Sequence, residues 1–207
     1  MTAINVNRTD QDIVNRLVVA ADSSDDLVID EVGDQHVKVK SSLKHNLYSW
    51  GFKINAEVVV TYQDEVEIEF TPSRRIPINL QVKPEKYMYR WISNLISQDE
   101  IDVKIPLGSE DTSSEYNSTK IKEVIPTDQI KSISGKAGSR VGLITKYILN
   151  NIKKDMNIEF DFEEKNTYIR ITGDGVEEIK TDIEEIFGQQ VSIRFSQEDG
   201  LDIKIPE

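Results

Sequence analysis

The sequence predicts an α+β protein made of two α/β-sandwich-like halves, and three observations predict it. Runs in which apolar and polar residues alternate, as in a strand with one buried face, are interleaved with runs whose apolar residues recur at helical spacing. Asp102-Val-Lys-Ile-Pro106 returns as Asp202-Ile-Lys-Ile-Pro206, each closing a region of similar plan. Between the halves, the stretch from Gly108 to Ser118 is polar, turn-rich and without apolar period, so it buries too little surface to offset its ordering entropy. The expected division is 1–107, a linker at 108–118, and 119–207.

In the first half, Ala3 to Asn7 alternates as a strand does. Thr9-Asp-Gln-Asp12 has capping-box spacing, with Asp for the usual Glu, and opens a helix through Ile13, Leu17, Val18 and Ala21. Leu27 to Val32 and His36 to Lys40 form a hairpin across Gly33-Asp34. A short helical pattern carries Leu43, Leu47, Tyr48 and Trp50. Ala56 to Tyr62 and Glu65 to Thr71 form a second hairpin, with Val66, Ile68 and Phe70 on one face and Glu65, Glu67 and Glu69 on the other. That acidic stripe reads as a solvated sheet face and not a metal site. Pro72 and Pro77 bound a loop before a short strand, Ile78 to Val82. Pro84 opens a helix whose Tyr87, Met88, Trp91, Ile92, Leu95 and Ile96 recur at helical spacing. Those side chains read as core and not as a platform for bases.

The second half begins with a strand at Lys120 to Ile125 and a helix capped by Thr127. The turn Gly135-Lys-Ala-Gly138 then leads into a long helix, Ser139 to about Lys154, whose apolar face is Val141, Ile144, Ile148, Leu149 and Ile152. Strands at Asn157 to Phe162 and Thr167 to Thr172, a helix from Val176 to Phe187 stopped by Gly188, and a terminal hairpin complete the chain. The Gly-Lys-Ala-Gly turn stands before a helix start, where outward amides suit an anion. Thr119 to Lys154 holds eight basic residues against two acids, a net of +6 in a chain of −12. Nucleic-acid affinity comes largely from phosphate contacts, so this local surplus outweighs the overall sign.

The chain has no cysteine, which excludes disulfides, thiolate zinc sites and a cysteine nucleophile, and it has two histidines in no catalytic spacing. Gly135-Lys-Ala-Gly-Ser139 is not a phosphate-binding loop of the nucleotide-hydrolase type, because its lysine opens the turn instead of following it. Asp161, Glu163 and Glu164 lie beside a turn and read as a solvated loop. The chain is expected to be no enzyme and to need no cofactor or metal. No run approaches the roughly 18 apolar residues of a membrane span, and residues 1–8 lack a signal-peptide core. An intracellular protein, cytoplasmic or nuclear and without membrane contact, is expected.

The order strand, helix, turn, helix, strand, strand, helix over 119–188 resembles the eukaryotic-type K-homology (KH) domain. The local match is Gly135-Lys-Ala-Gly-Ser-Arg-Val141 with Ile144, similar to the family's Gly-Lys-Gly-Gly-x-x-Ile-x-x-Ile, and Tyr168-Ile-Arg-Ile-Thr-Gly173 resembles the family's strand before its last helix. The resemblance implies a βααββα plan plus the terminal hairpin. It also implies single-stranded RNA or DNA binding, in which the glycine turn clamps the backbone and an apolar groove receives bases. Carried onto this sequence, Gly135, Lys136, Ala137 and Gly138 meet phosphates, with Lys131 and Arg140 beside them. Ile133, Val141, Ile144, Ile158 and Phe160 are groove or core candidates. Ser134, where the family has an aliphatic residue, and the long second helix with Gly142 inside it depart from the pattern. The first half reads as a degenerate repeat of the same plan. The rival reading is a protein-interaction or assembly module of KH-like shape, docking partners through its acidic faces.

Overall fold

The structure is a computed structural model that describes residues 1–7, 12–42, 51–60, 65–74, 83–98, 103–105, 139–151, 156–163, 166–195 and 200–206. It is of the α+β class, with two antiparallel sheets and four helices among the described residues. Two compact units divide at Val103 and Lys104.

The first unit contains β1 (Thr2–Asn7), α1 (Ile13–Asp22), β2 (Leu27–Val32), β3 (His36–Ser41), β4 (Phe52–Val60), β5 (Glu65–Arg74) and α2 (Pro84–Ile96), and the short β6 (Val103–Lys104) falls on the division. Its sheet runs in the order β2-β3-β4-β5-β1-β6. The alternating pattern sets which face is inside. Val37, Val39, Ile54, Ala56, Ile68, Phe70, Ile4 and Val6 are buried, and α1 packs on β2 and β3 while α2 packs on β4 and β5. Of the expected stripe on α2, Met88, Trp91, Ile92 and Leu95 are core while Tyr87 and Ile96 stay half-buried; Trp91 has no exposed surface and meets Phe70 edge to face at 5.3 Å. Along the α1–α2 seam, side chains of α2 donate to backbone carbonyls of α1. Trp91 Nε1 reaches Leu17 O at 2.9 Å, Asn94 Nδ2 reaches Ala20 O at 3.2 Å, and Gln98 Nε2 reaches Arg16 O at 2.9 Å. Arg90 pairs with Asp26 beside them.

Two local expectations shift. α1 begins at Ile13 with Asp12 as its N-cap, and Asp12 accepts from Asn15 Nδ2 at 2.6 Å instead of capping backbone amides. β5 does not stop at Pro72 but continues to Arg74, with Pro72 opposite Ile54. Proline is tolerated there because β1 covers β5 only from Glu65 to Phe70, so the missing amide hydrogen falls where β5 has a described partner on one side alone.

The second unit contains α3 (Ser139–Asn151), β7 (Asn157–Phe162), β8 (Asn166–Thr172), α4 (Val176–Phe187), a 3₁₀ turn at Gly188–Gln190, β9 (Ser192–Phe195) and β10 (Leu201–Pro206). The sheet order is β7-β8-β10-β9. Expected as an addition to the βααββα plan, the terminal hairpin instead supplies an inner strand: β10 pairs with β8 from Leu201↔Ile171 to Pro206↔Asn166. Thus β8 has a described strand on each side. Ile169, Ile171, Leu201, Ile203 and Ile205 are buried on its inner face with Ile179, Ile183 and Phe187. Gly175, at φ 91°, turns the chain into α4 in a conformation that favours glycine. The expected linker, the strand at 120–125, the helix after Thr127 and the short helix at 43–50 lie outside the described residues. Among those described, no helix is long and apolar enough to cross a membrane.

Candidate nucleic-acid interface

The sequence-derived site is built around the entry into α3. Lys131, Ile133, Gly135, Lys136, Ala137 and Gly138 lie outside the described residues. The structure describes Arg140, Val141, Ile144, Ile158 and Phe160.

Arg140 stands in the first turn of α3. Its side chain is half-buried, and its Nε is enclosed without a hydrogen-bond partner among the described residues. Helix N-termini carry a partial positive charge, so acids stabilise first turns and cations oppose them, by ~0.3–1 kcal/mol. Each of the other three described helices has an acid at its start: Asp12 as N-cap of α1, Glu85 in the first turn of α2 between Lys83 and Lys86, and Glu177 and Glu178 in α4. α3 has no acid in its first turn, carries Arg140 there, and is preceded by Gly138. An anion would complement this end of α3 as carboxylates complement the other three.

Val141, Ile144 and Ile158 expose 4%, 0% and 6% of their surfaces. Of the groove-or-core candidates described, these three are core, and Phe160 is half-buried. α3 is tied to α4 by Tyr147, whose hydroxyl donates to Asp182 Oδ2 at 2.5 Å inside the unit, and by the edge-to-face meeting of Tyr147 with Phe187. Thr145 is fully buried, and its Oγ1 has no hydrogen-bond partner among the described residues.

On the outer sheet face of this unit, strand register sets Glu159, Arg170, Asp202 and Arg194 in one row across four strands. Arg170 Nε lies 3.7 Å from Asp202 Oδ1. The next row carries Asp161, Tyr168, Lys204 and Ser192, with Lys204 Nζ 5.9 Å from the Tyr168 ring centre. Charges of the two signs alternate, so this face holds no surplus for phosphate.

In the first unit one end of the outer face pairs acids with lysines and the other is acidic. β2 bulges at Asp30 between Ile29 and Glu31, and the extra residue lets one carboxylate bind two lysines: Lys40 donates at 2.8 Å and Lys53 at 2.9 Å. These bonds, Lys40's first, hold the Asp30 carboxyl down at about 2. Glu31 accepts from Lys38 Nζ at 2.8 Å and lies 3.0 Å from His36 Nε2, and both lower its pKa, Lys38 first. Toward the other end Glu57 stands opposite Glu69, with Glu65 and Glu67 along the same strand. Among the described residues no group of His, Cys, Asp or Glu is arranged to hold a metal ion. Sequence reasoning missed the Asp30 clip, the α1–α2 carbonyl contacts and the Tyr147–Asp182 bond. The tyrosine and aspartate fell at buried helical positions, but only packing reveals that they meet.

No family model matches the chain, and no curated protein matches it.

Proposed function

We propose that the chain is an intracellular, non-enzymatic protein whose second unit, KH-like in plan, binds single-stranded RNA or DNA at the entry to α3. The observation that supports this most is the first turn of α3, which alone among the four described helix starts has neither an acidic N-cap nor a first-turn acid, and which carries Arg140. It lies within the stretch of net charge +6, next to Gly135-Lys-Ala-Gly138. In this reading Lys131, Lys136 and Arg140 neutralise phosphates, and the glycine turn lets the strand's backbone approach.

Binding of a labelled single-stranded oligonucleotide to the full chain, followed by fluorescence anisotropy, tests the proposal. Three phosphate contacts to a single strand give a salt slope near −2, so affinity should fall roughly 20-fold between 50 and 200 mM salt. The double variant Lys136→Asp, Ala137→Asp should keep its circular dichroism spectrum and lose at least about tenfold in affinity. A folded variant that binds as well as the parent would remove the turn from the site.

The second reading, a protein-interaction module, draws on the acidic end of the first sheet, where Glu57 faces Glu69. Like charges placed directly opposite destabilise a sheet, and a basic partner would relieve them. Nuclease-resistant capture of a basic protein through this face, with no crosslinked RNA, would favour that reading over the first.

A further inference from the structure

We infer that the outer sheet face of the second unit is a docking surface for a second copy of this chain; this is independent of the nucleic-acid reading above. Across β7, β8, β10 and β9 one row reads Glu159, Arg170, Asp202, Arg194, and the next reads Asp161, Tyr168, Lys204, Ser192. Glu159, Asp161, Ser192 and Arg194 are exposed, and the four residues between them are half-buried, so the face meets solvent. A two-fold dimer brings the same patch of both copies together, and a patch docks on its own copy only where a half-turn matches it with itself.

The match holds when the two faces are opposed and the axis runs along the strands, midway between β8 and β10, which keeps the two sheets aligned as packed sheets are. Glu159 then meets Arg194 of the second copy, and Arg170 meets Asp202. In the next row Tyr168 meets Lys204, a ring against an ammonium, and Asp161 meets Ser192, a carboxylate against a hydroxyl. Each contact is made twice, and none sets like charges together. An axis across the strands, between the two rows, would instead set Glu159 against Asp161 of the second copy. The outer face of the first unit fails the same test: Lys40 stands beside Lys53 and Glu57 beside Glu69, so an axis between either pair opposes like charges. Taking charges out of water offsets much of what their pairing gains, so the dimer is weak and sensitive to salt.

Sedimentation equilibrium of the full chain is the test. A reversible dimer should appear at about 100 µM protein in low salt, and association should weaken at least tenfold between about 50 and 500 mM salt. Arg194→Glu and Glu159→Arg each oppose like charges twice per dimer, and each alone should weaken association at least about tenfold. Within one copy the two positions are three strand spacings apart, roughly 14 Å, and do not touch. An equimolar mixture of the two variants should nevertheless associate within about threefold of the parent, because every contact between unlike copies again joins opposite charges. Should either variant lose its circular dichroism spectrum, dilution of the parent decides: amide shifts that change with concentration should fall on β7, β8, β9 and β10 and spare β2 to β5. Shifts elsewhere, association that both variants leave intact, or a mixture no stronger than its parts overturns the inference. A parent that stays monomeric overturns it too, and leaves the face to solvent or to a different protein.

Discussion

The two units pack helices on antiparallel sheets but fasten those helices differently. In the first, three side chains of α2 grip backbone carbonyls of α1 and an arginine pairs with Asp26. In the second, the fastening described between α3 and α4 is a hydroxyl-to-carboxylate bond and one ring contact. A carbonyl is present whatever residue carries it, so the first seam depends on α2 and tolerates substitution at Arg16, Leu17 and Ala20 as far as these bonds are concerned. The second seam needs a tyrosine and an aspartate together. The unit with the proposed site thus has the more sequence-dependent joint.

The largest expected effect attacks the first seam. Trp91→Ala removes a fully buried indole and its bond to Leu17 O, and should destabilise the first unit by about 3–5 kcal/mol. Hydrogen exchange read by segment should show protection lost in β4, β5 and α1 while β8 and β10 keep theirs. Equal loss in both units would break the comparison. A smaller effect is expected at the second seam, where Tyr147→Phe deprives a buried carboxylate of the tyrosine hydroxyl donor and should cost about 1–3 kcal/mol. On the same helix Thr145→Val replaces a buried hydroxyl that has no partner among the described residues, so the variant's thermal midpoint should stay level or rise.

The smallest effect is local and depends on pH. Asp30 falls from its ordinary 3.8 to about 2 in the folded protein. A lowered carboxyl pKa means that the clip contributes fully above the unfolded value and is lost as pH falls through the folded one. Amides of β2 and β3 should therefore begin to lose protection below about pH 4, with the loss complete only below about pH 2. With Lys40 and Lys53 both changed to Met, the Asp30 carboxyl should titrate close to 3.8 by NMR. An unchanged titration would show that the lysines do not hold it.

Much of this fold is legible because alternation and helical spacing are short-range signals. β2, β7, α2 and α4 lie where the pattern puts them, and the burial of Val66, Ile68 and Phe70 follows from period two. Pairing partners are less legible. Asp102-Val-Lys-Ile-Pro106 and Asp202-Ile-Lys-Ile-Pro206 share one pattern, yet the first contributes the edge strand β6 and the second the inner strand β10. Alternation states which residues face inward and is silent on which strand lies alongside. The candidate site is legible as charge and glycine spacing. Whether Val141, Ile144 and Ile158 line a groove or fill a core was not, because an apolar stripe suits both and only their neighbours decide.

β1 lies between β5 and β6, and Thr2 pairs with Phe70. In the second unit β7 meets β8 across a short connection, and β9 meets β10 likewise. Closing a long loop lowers chain entropy before its contacts repay the loss, and such non-local pairing slows folding. During synthesis β1 must therefore wait without its β5 partner until β5 has left the ribosome. The second unit's two hairpins can each close as soon as their own strands appear.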